Sequence, residues 1–266
     1  MQRTTINKIL SLSWTALLIM GVSGFTDSAL AGGDVEGKVI FTGKLIPPKE
    51  FPFSKFPNSE FCKKNPQKSE DGKNRLLHEV EIGLENGLKN AIVVIKDIQD
   101  DEWAKNYTRT EVLAKLCEFL PFTGIVVNKQ KFFVENQDAD PDDPKSKEGV
   151  LHNPHGFDVL GPKSMTLFNI GLAQKGSTME KPLKMRMASK GSVMRLQCDQ
   201  HEFMQSWFLP VESPYFGKVK ENGTFSISDV PPGKHTILAW HPIAGETTTE
   251  ITVPKSGKVE VNLEFQ

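Results

Sequence analysis

The sequence predicts an all-β chain built from two β-sandwiches, and three observations lead there. Short β-branched and aromatic runs recur along it, as in Ala91 to Ile98 (AIVVIKDI) and Lys131 to Glu135 (KFFVE). Turn sequences such as Asn222-Gly223 and Pro231-Pro232-Gly233 separate the later runs at even spacing, the rhythm of antiparallel sheets. Before Glu135 no amphipathic helix of useful length interrupts this order.

Residues 1–31 are read as a cleaved secretory signal peptide. Arg3 and Lys8 supply positive charge, Ile9 to Gly24 is an apolar run, and Ala29-Leu30-Ala31 is an A-x-A cleavage site. No later stretch is long and apolar enough for a membrane span. The expected location of the mature chain is a bacterial periplasm.

Val35 to Thr42 alternates like a strand. Pro47, Pro48, Pro52, Pro57 and Pro66 then punctuate a long stretch carrying Cys62, where helix and central strand are excluded. His78 to Ile82 reads as a short strand, and Ala91 to Ile98 as a stronger one. Asp100 to Lys115 permits a short helix capped by Asp100 or Asp101. Leu116 to Val127 ends in a strand whose partner is Lys131 to Glu135. Asp138 to Gly149 is polar, acidic and proline-containing, an exposed loop. Gly171 to Lys181 is a second loop. Leu183 to Met187 and Val193 to Gln197 are read as a hairpin leading to Cys198, and Trp207 to Val211 as the strand after it. Five short strands follow, from Gly217 to Phe265. Some fifty residues is lean for an independent sandwich, so this tail is expected to borrow the strand at Trp207 or an N-terminal one.

A formal net charge of -1 gives no electrostatic case for nucleic-acid binding. Three cysteines, Cys62, Cys117 and Cys198, leave one over in an exported chain. If Cys198 ligates a metal it has a reason to stay unpaired, and Cys62 pairs with Cys117. The competing pairing joins Cys198 to one of the other two and leaves no metal site.

The chemistry concentrates in Cys198-Asp199-Gln200-His201-Glu202-Phe203-Met204. The spacing C-x-x-H-x-x-M puts a thiol, an imidazole and a thioether on one loop. A copper electron-transfer site needs a thiolate, two imidazoles and a weak axial thioether. His152 and His155, in His152-Asn153-Pro154-His155, are the candidates for the second imidazole.

The pair H-N-x-H and C-x-x-H-x-x-M resembles the cupredoxins, the small blue-copper proteins. The His201–Met204 spacing is similar to that of amicyanins, and the likeness covers roughly Pro121 to Val211. It implies a cupredoxin-like Greek-key β-sandwich holding one type 1 copper ion through His152, Cys198, His201 and Met204. It also implies that Asn153 bonds the Cys198 sulfur and that His155 lies near the site without being a ligand. Phe203 and Trp207 would form an apolar collar, and His201 would offer the edge nearest solvent. Ser213 to Gln266 resembles a carboxypeptidase-regulatory-like or transthyretin-like sandwich, on Asn222-Gly223-Thr224-Phe225-Ser226-Ile227, Asp229-Val230-Pro231-Pro232-Gly233 and Leu238-Ala239-Trp240-His241. There Trp240 is expected in the core and His241 in solvent. The pairing of modules resembles exported proteins labelled methylamine-utilisation-like.

The implied organisation is a cupredoxin-like domain with an N-terminal extension over 32–211 and a second sandwich over 212–266. The implied function is single-electron transfer between periplasmic redox proteins such as cytochromes or a dehydrogenase. The alternative is a non-redox binding protein, or a copper storage or delivery protein, on the same fold; the long proline-rich segment favours it. An enzyme has the least support, since G-x-S-x-G, H-E-x-x-H and a second copper-binding histidine cluster are missing from the sequence.

Overall fold

The computed structural model describes residue 1 and residues 32–266. The signal-peptide expectation therefore falls almost wholly outside the described residues. Among the described residues no helix is long and apolar enough to cross a membrane.

Strands dominate the fold. In chain order they are β1 (Gly33–Phe41), β2 (Lys49–Pro52), β3 (Asn74–Leu77), β4 (Ile92–Ile95), β5 (Arg109–Ala114) and β6 (Phe119–Leu120). Next come β7 (Thr123–Val126), β8 (Lys131–Asn136), β9 (Pro154–Leu160), β10 (Lys163–Asn169), β11 (Thr178–Pro182) and β12 (Val193–Cys198). The chain ends with β13 (Gln205–Pro210), β14 (Phe216–Lys218), β15 (Thr224–Val230), β16 (Gly233–His241), β17 (Gly245–Val253) and β18 (Lys258–Phe265). Two short helices, α1 (Ser59–Cys62) and α2 (Asp101–Asn106), complete the described α-helical structure. Asp100 caps α2 by accepting the Trp103 N–H at 2.8 Å, as its sequence position predicts. The rest of the expected helical stretch is β5, whose alternating burial marks a strand with one face in a core.

One sandwich packs the sheet β10-β9-β12-β13-β7 on the sheet β11-β8-β5-β6. Val112, Phe132, Val134, Met194, Leu196 and Phe208 are inward-facing residues of its core. Strand pairs β7–β13 and β5–β8 run parallel, and their neighbours are antiparallel. Gly156 on β9 lies opposite Phe168 on β10; a Cβ there would sit 2.6 Å from the Phe168 ring, so only glycine lets the ring lie across the strand. The β9–β10 hairpin was not visible as a strand pair in the sequence, and Thr178–Pro182, expected in a loop, is the edge strand β11. Leu183 to Met187, expected as a strand, is not one.

The second sandwich packs β15-β1-β18 on β14-β4-β16-β17. It borrows β1, which pairs with β15 on one side and runs parallel to β18 on the other. It also borrows β4, which sits between β14 and β16. The division at 211 is therefore not the division of the sheets: two strands from inside 32–211 complete the C-terminal sandwich. The physical reason is the lean tail, which needs these two apolar strands to close a core containing Val35, Val39, Val93 and Ile95. A third apolar cluster, with Ile92, Val94, Ile125, Leu209, Leu238 and Trp240, joins the two sandwiches. Trp240 is buried as expected, but His241 is fully buried rather than solvated.

The proline-rich stretch does hold a helix, contrary to the exclusion read from its prolines, because α1 (Ser59–Cys62) fits in the proline-free interval between Pro57 and Pro66. Strands β2 and β3 form a two-stranded ribbon, and α1 carries Cys62 onto the first sandwich. Cys62 is disulfide-bonded to Cys117, and Cys198 is the free cysteine.

Candidate metal centre

The loop between β12 and β13 is a tight reversal. The Cys198 N–H donates to the Met204 carbonyl at 3.0 Å, and the Met204 N–H donates to the His201 carbonyl at 2.8 Å. These bonds close the loop so that the spacing in the sequence becomes a cluster in space. One nitrogen of His201, one of His152 and the Cys198 sulfur lie within 4.8 Å of one another, all three side chains fully buried. Cys198 Sγ is 3.8 Å from His201 Nδ1. His152 arrives from the segment between β8 and β9, held by a bridge to Leu172.

Whether these residues fit an ion is tested by their free valences. His152 Nε2 meets the Asp138 carboxylate at 2.8 Å, while His152 Nδ1 is buried with no hydrogen-bond partner. A buried imidazole nitrogen left unpaired costs free energy unless something occupies it. The sulfur accepts the Asn153 N–H at 3.2 Å. Burial pushes the Cys198 thiol up, but the two imidazoles outweigh it and hold its pKa at about 6. Burial also disfavours the His152 imidazolium, yet Asp138 and Cys198 leave its pKa raised. With no ion bound, a thiolate beside an imidazolium is thus favoured. A thiolate and two imidazoles suit a soft to borderline cation.

Met204 is buried in the same apolar core as Cys198 and Phe203. His155 stands apart from the cluster. Its ring bonds Asp199 and Thr166 and stacks on Phe157 at 3.9 Å between centroids. Asn153 reaches the sulfur through its backbone, not its side chain, which bonds Asn169 and Asp199 instead.

Three expectations change. His201 does not offer an edge to solvent: its Nε2 faces the Pro57 carbonyl at 3.1 Å, and the ring is fully buried. The covering is the proline-rich segment. Phe203 packs against Phe51, Phe53 and Phe56, with ring centroids 6.0, 6.3 and 5.0 Å away. The Cys62 and Cys117 sulfurs lie within 4.8 Å of a His201 nitrogen. The collar therefore comes from Phe203 and these three phenylalanines, not from Trp207. Trp207 sits over Arg195 and the junction of the two sandwiches, because alternation along β13 turns it away from the core face that Phe208 occupies.

Asp138 is the third change. The acidic run had marked it as the start of an exposed loop, but it is buried. It accepts the N–H groups of Leu116 and Cys117 at 2.6 and 2.9 Å as well as facing His152. One carboxylate thus orients the imidazole and ties the disulfide turn to it. Asn136, two residues earlier, holds the site's frame by donating to the carbonyls of Val150 and Leu172. The only sequence signal for this pair was Asn136-x-Asp138 at a strand end.

No family model matches this chain, and no curated protein matches it. Similar solved structures include a purple cupredoxin from Nitrosopumilus maritimus, 16% identical, covering 38% of this chain and 99% of that one at a TM-score of 0.28. A copper(I) form of an amicyanin variant is 13% identical, covering 46% of this chain and 100% of that one, also at 0.28. A copper-containing nitrite reductase from Thermus scotoductus SA-01 is 16% identical at 0.29, covering 40% of this chain; the chain spans 23% of that enzyme's length.

Proposed function

We propose that this chain is an exported type 1 copper protein that carries single electrons between periplasmic redox partners. The observation that supports the reading best is the unpartnered Nδ1 of His152, buried beside the Cys198 sulfur and His201. His152, Cys198 and His201 would hold the ion, with the Met204 thioether as a weak further donor. Copper bound there supplies a one-electron couple. The chain's own residues do the rest. Asp138 holds the Nε2 proton of His152, so that Nδ1 keeps its lone pair. The Asn153 N–H steadies the sulfur. The phenylalanine collar keeps water from His201, and four protein donors leave no position for a substrate.

Copper storage or delivery is the second reading. The burial of His201 beneath the proline-rich segment favours it, because such a cover slows exchange of any ion beneath it. One experiment separates the two. Cupric ion is added to the purified protein, and the visible thiolate-to-copper charge-transfer band is followed through a redox titration. An intense band that bleaches and returns reversibly supports the carrier. A coloured but redox-silent protein supports storage, and a colourless protein with Cys198 reduced removes both.

A further inference from the structure

A carrier must present some edge of its metal centre to a partner, and here the His201 edge is closed by the chain itself. Pro57 supplies the carbonyl that meets His201 Nε2, and the Cys62–Cys117 bridge that anchors this cover is itself fully buried. The cover is a fixed part of the fold.

At Cys198 and His152 the buried cluster lies one residue from the surface. Cys198 is followed directly by the exposed Asp199, and His152 by the half-buried Asn153. The two neighbours are cross-linked: the Asp199 N–H donates to the Asn153 carbonyl at 3.1 Å, and the Asn153 side chain reaches Asn169 and Asp199. His155 bonds Asp199 at 3.1 Å. From His155 a stacked row crosses the outer face of β9, β12 and β13. Phe157 lies under His155, the Arg195 guanidinium lies 4.9 Å from Phe157, and Trp207 lies 5.8 Å on its other side. A short bonded path thus leads from the Cys198 sulfur, through the Asn153 N–H, to a surface of polar and aromatic groups.

The charge on that surface is unbalanced. Among the described residues Arg195 forms no ion pair, and its Nε is buried without an acceptor. Thr166, bonded to His155, also lines a hollow with Asp158, Lys184 and Arg186; Asp158 is buried and engaged by the Met187 N–H and the Ser192 hydroxyl, and neither cation forms an ion pair among the described residues. Asp199 is an exposed acidic group beside this row, and His155 and Asn169 already engage it.

We propose that electrons enter and leave on the Cys198 side, where Asn153, His155, Asn169, Asp199 and Arg195 form the docking face for a one-electron redox protein with an acidic surface. This rests on the copper-carrier reading above. Carboxylates of the partner complete the hydrogen bonding of Arg195 and are drawn by Lys184 and Arg186.

Hexacyanoferrate(III), an anionic one-electron oxidant, tests the face. The full chain is loaded with copper and reduced. Each hexacyanoferrate(III) then takes one electron from one cuprous protein and becomes hexacyanoferrate(II). The rate is read from growth of the visible band. Arg195→Gln is expected to slow oxidation about threefold and to flatten its salt dependence. Asp199→Asn, which removes a negative charge with little change of shape, is expected to speed it. Lys55→Glu, which reverses an exposed charge on the cover over His201, leaves the rate within about twofold. An unshifted band and midpoint potential in the variants show that the centre is undisturbed. If Lys55→Glu slows oxidation, or if Arg195→Gln and Asp199→Asn both leave it unchanged, this face is not the route, although the copper reading stands. If the unsubstituted protein gives no band, the copper reading fails and this inference with it.

Discussion

Two fully buried histidines, one in each sandwich, leave one ring nitrogen without a partner: His152 its Nδ1 and His241 its Nε2. Their second nitrogens differ. His152 Nε2 faces a carboxylate, so it carries the proton and leaves Nδ1 a lone pair aimed into a cluster with a thiol. His241 Nδ1 accepts the N–H groups of Ile243 and Ala244 at 3.2 and 3.1 Å, so the proton sits on Nε2 and the unpaired atom is a donor. The first arrangement is shaped for a cation; the second can only exclude one. The two rings also shift in opposite directions. Burial disfavours charge on both rings, but Asp138 and Cys198 raise His152, whereas His241 has no such neighbour and falls to about 4. A buried histidine's role is therefore set by what its other nitrogen meets.

The largest expected effects break the His152 side of this contrast outright. Cys198→Ser removes the thiolate and is expected to abolish the visible copper band entirely; a serine variant that keeps the band would show that Cys198 is not the ligand. Replacing Cys62 and Cys117 together with alanine removes a cross-link spanning 55 residues. The chain-entropy estimate puts the loss at about 4 kcal/mol. Urea unfolding measures it, and a midpoint within error of the parent would mean that the cover is held by packing alone.

The His241 side is read through acid. Its folded pKa of about 4 lies below the ordinary value of 6.5, so the unfolded chain binds the proton first. The stability that comes from keeping this ring neutral is fully present above pH 6.5 and is lost as pH falls from there toward 4. The full window is worth about 3 kcal/mol. His241→Asn keeps an acceptor for the two amides and has no proton to gain, so its unfolding free energy should fall less steeply over that window. Parallel acid limbs for parent and variant would sink the assignment.

What the sequence showed and what it hid follow from locality. Cys198, His201 and Met204 were legible because one loop holds them, and its tight backbone bonding turns spacing into proximity. Strands β4, β8, β12 and β15 to β18 were legible because alternation and turn residues are local signals. The closure of His201 by Pro57 was not, since 144 residues separate them and no periodicity encodes which loop covers which site. Asp138 was hidden by its company: it opens a run of acidic residues whose composition reads as solvated, and only the fold turns this one inward. That the lean C-terminal tail would borrow a strand was legible from its length, with an N-terminal strand among the options, but the choice of β1 and β4 over the strand at Trp207 was not, since an apolar strand pattern leaves the partner open.

Asp138 gives a finer test of the His152 arrangement. Asp138→Asn keeps the size of the side chain but removes the charge that favours the Nε2–H form. Copper affinity is expected to fall 10- to 100-fold, about 1.4 to 2.7 kcal/mol, in a competition titration against a chelator. His241→Asn should leave that affinity unchanged, since it lies in the other core.

The smallest expected effect separates His152 from its near neighbour. His155 is partly exposed, and its ring atoms are engaged by Asp199, Thr166 and the face of Phe157. The Asn153 N–H that meets the Cys198 sulfur is a backbone group and survives loss of the His155 side chain. His155→Ala should therefore keep most of the visible band and cost roughly 1 kcal/mol in stability, the scale of a surface hydrogen-bonding group. His152→Ala, by contrast, removes the one imidazole whose Nδ1 has nothing else to bind, and the band should go with it. A pair of spectra decides the matter. If colour survives at His152→Ala and vanishes at His155→Ala, the copper ligand is the outer histidine, and the orphaned nitrogen of His152 needs another explanation.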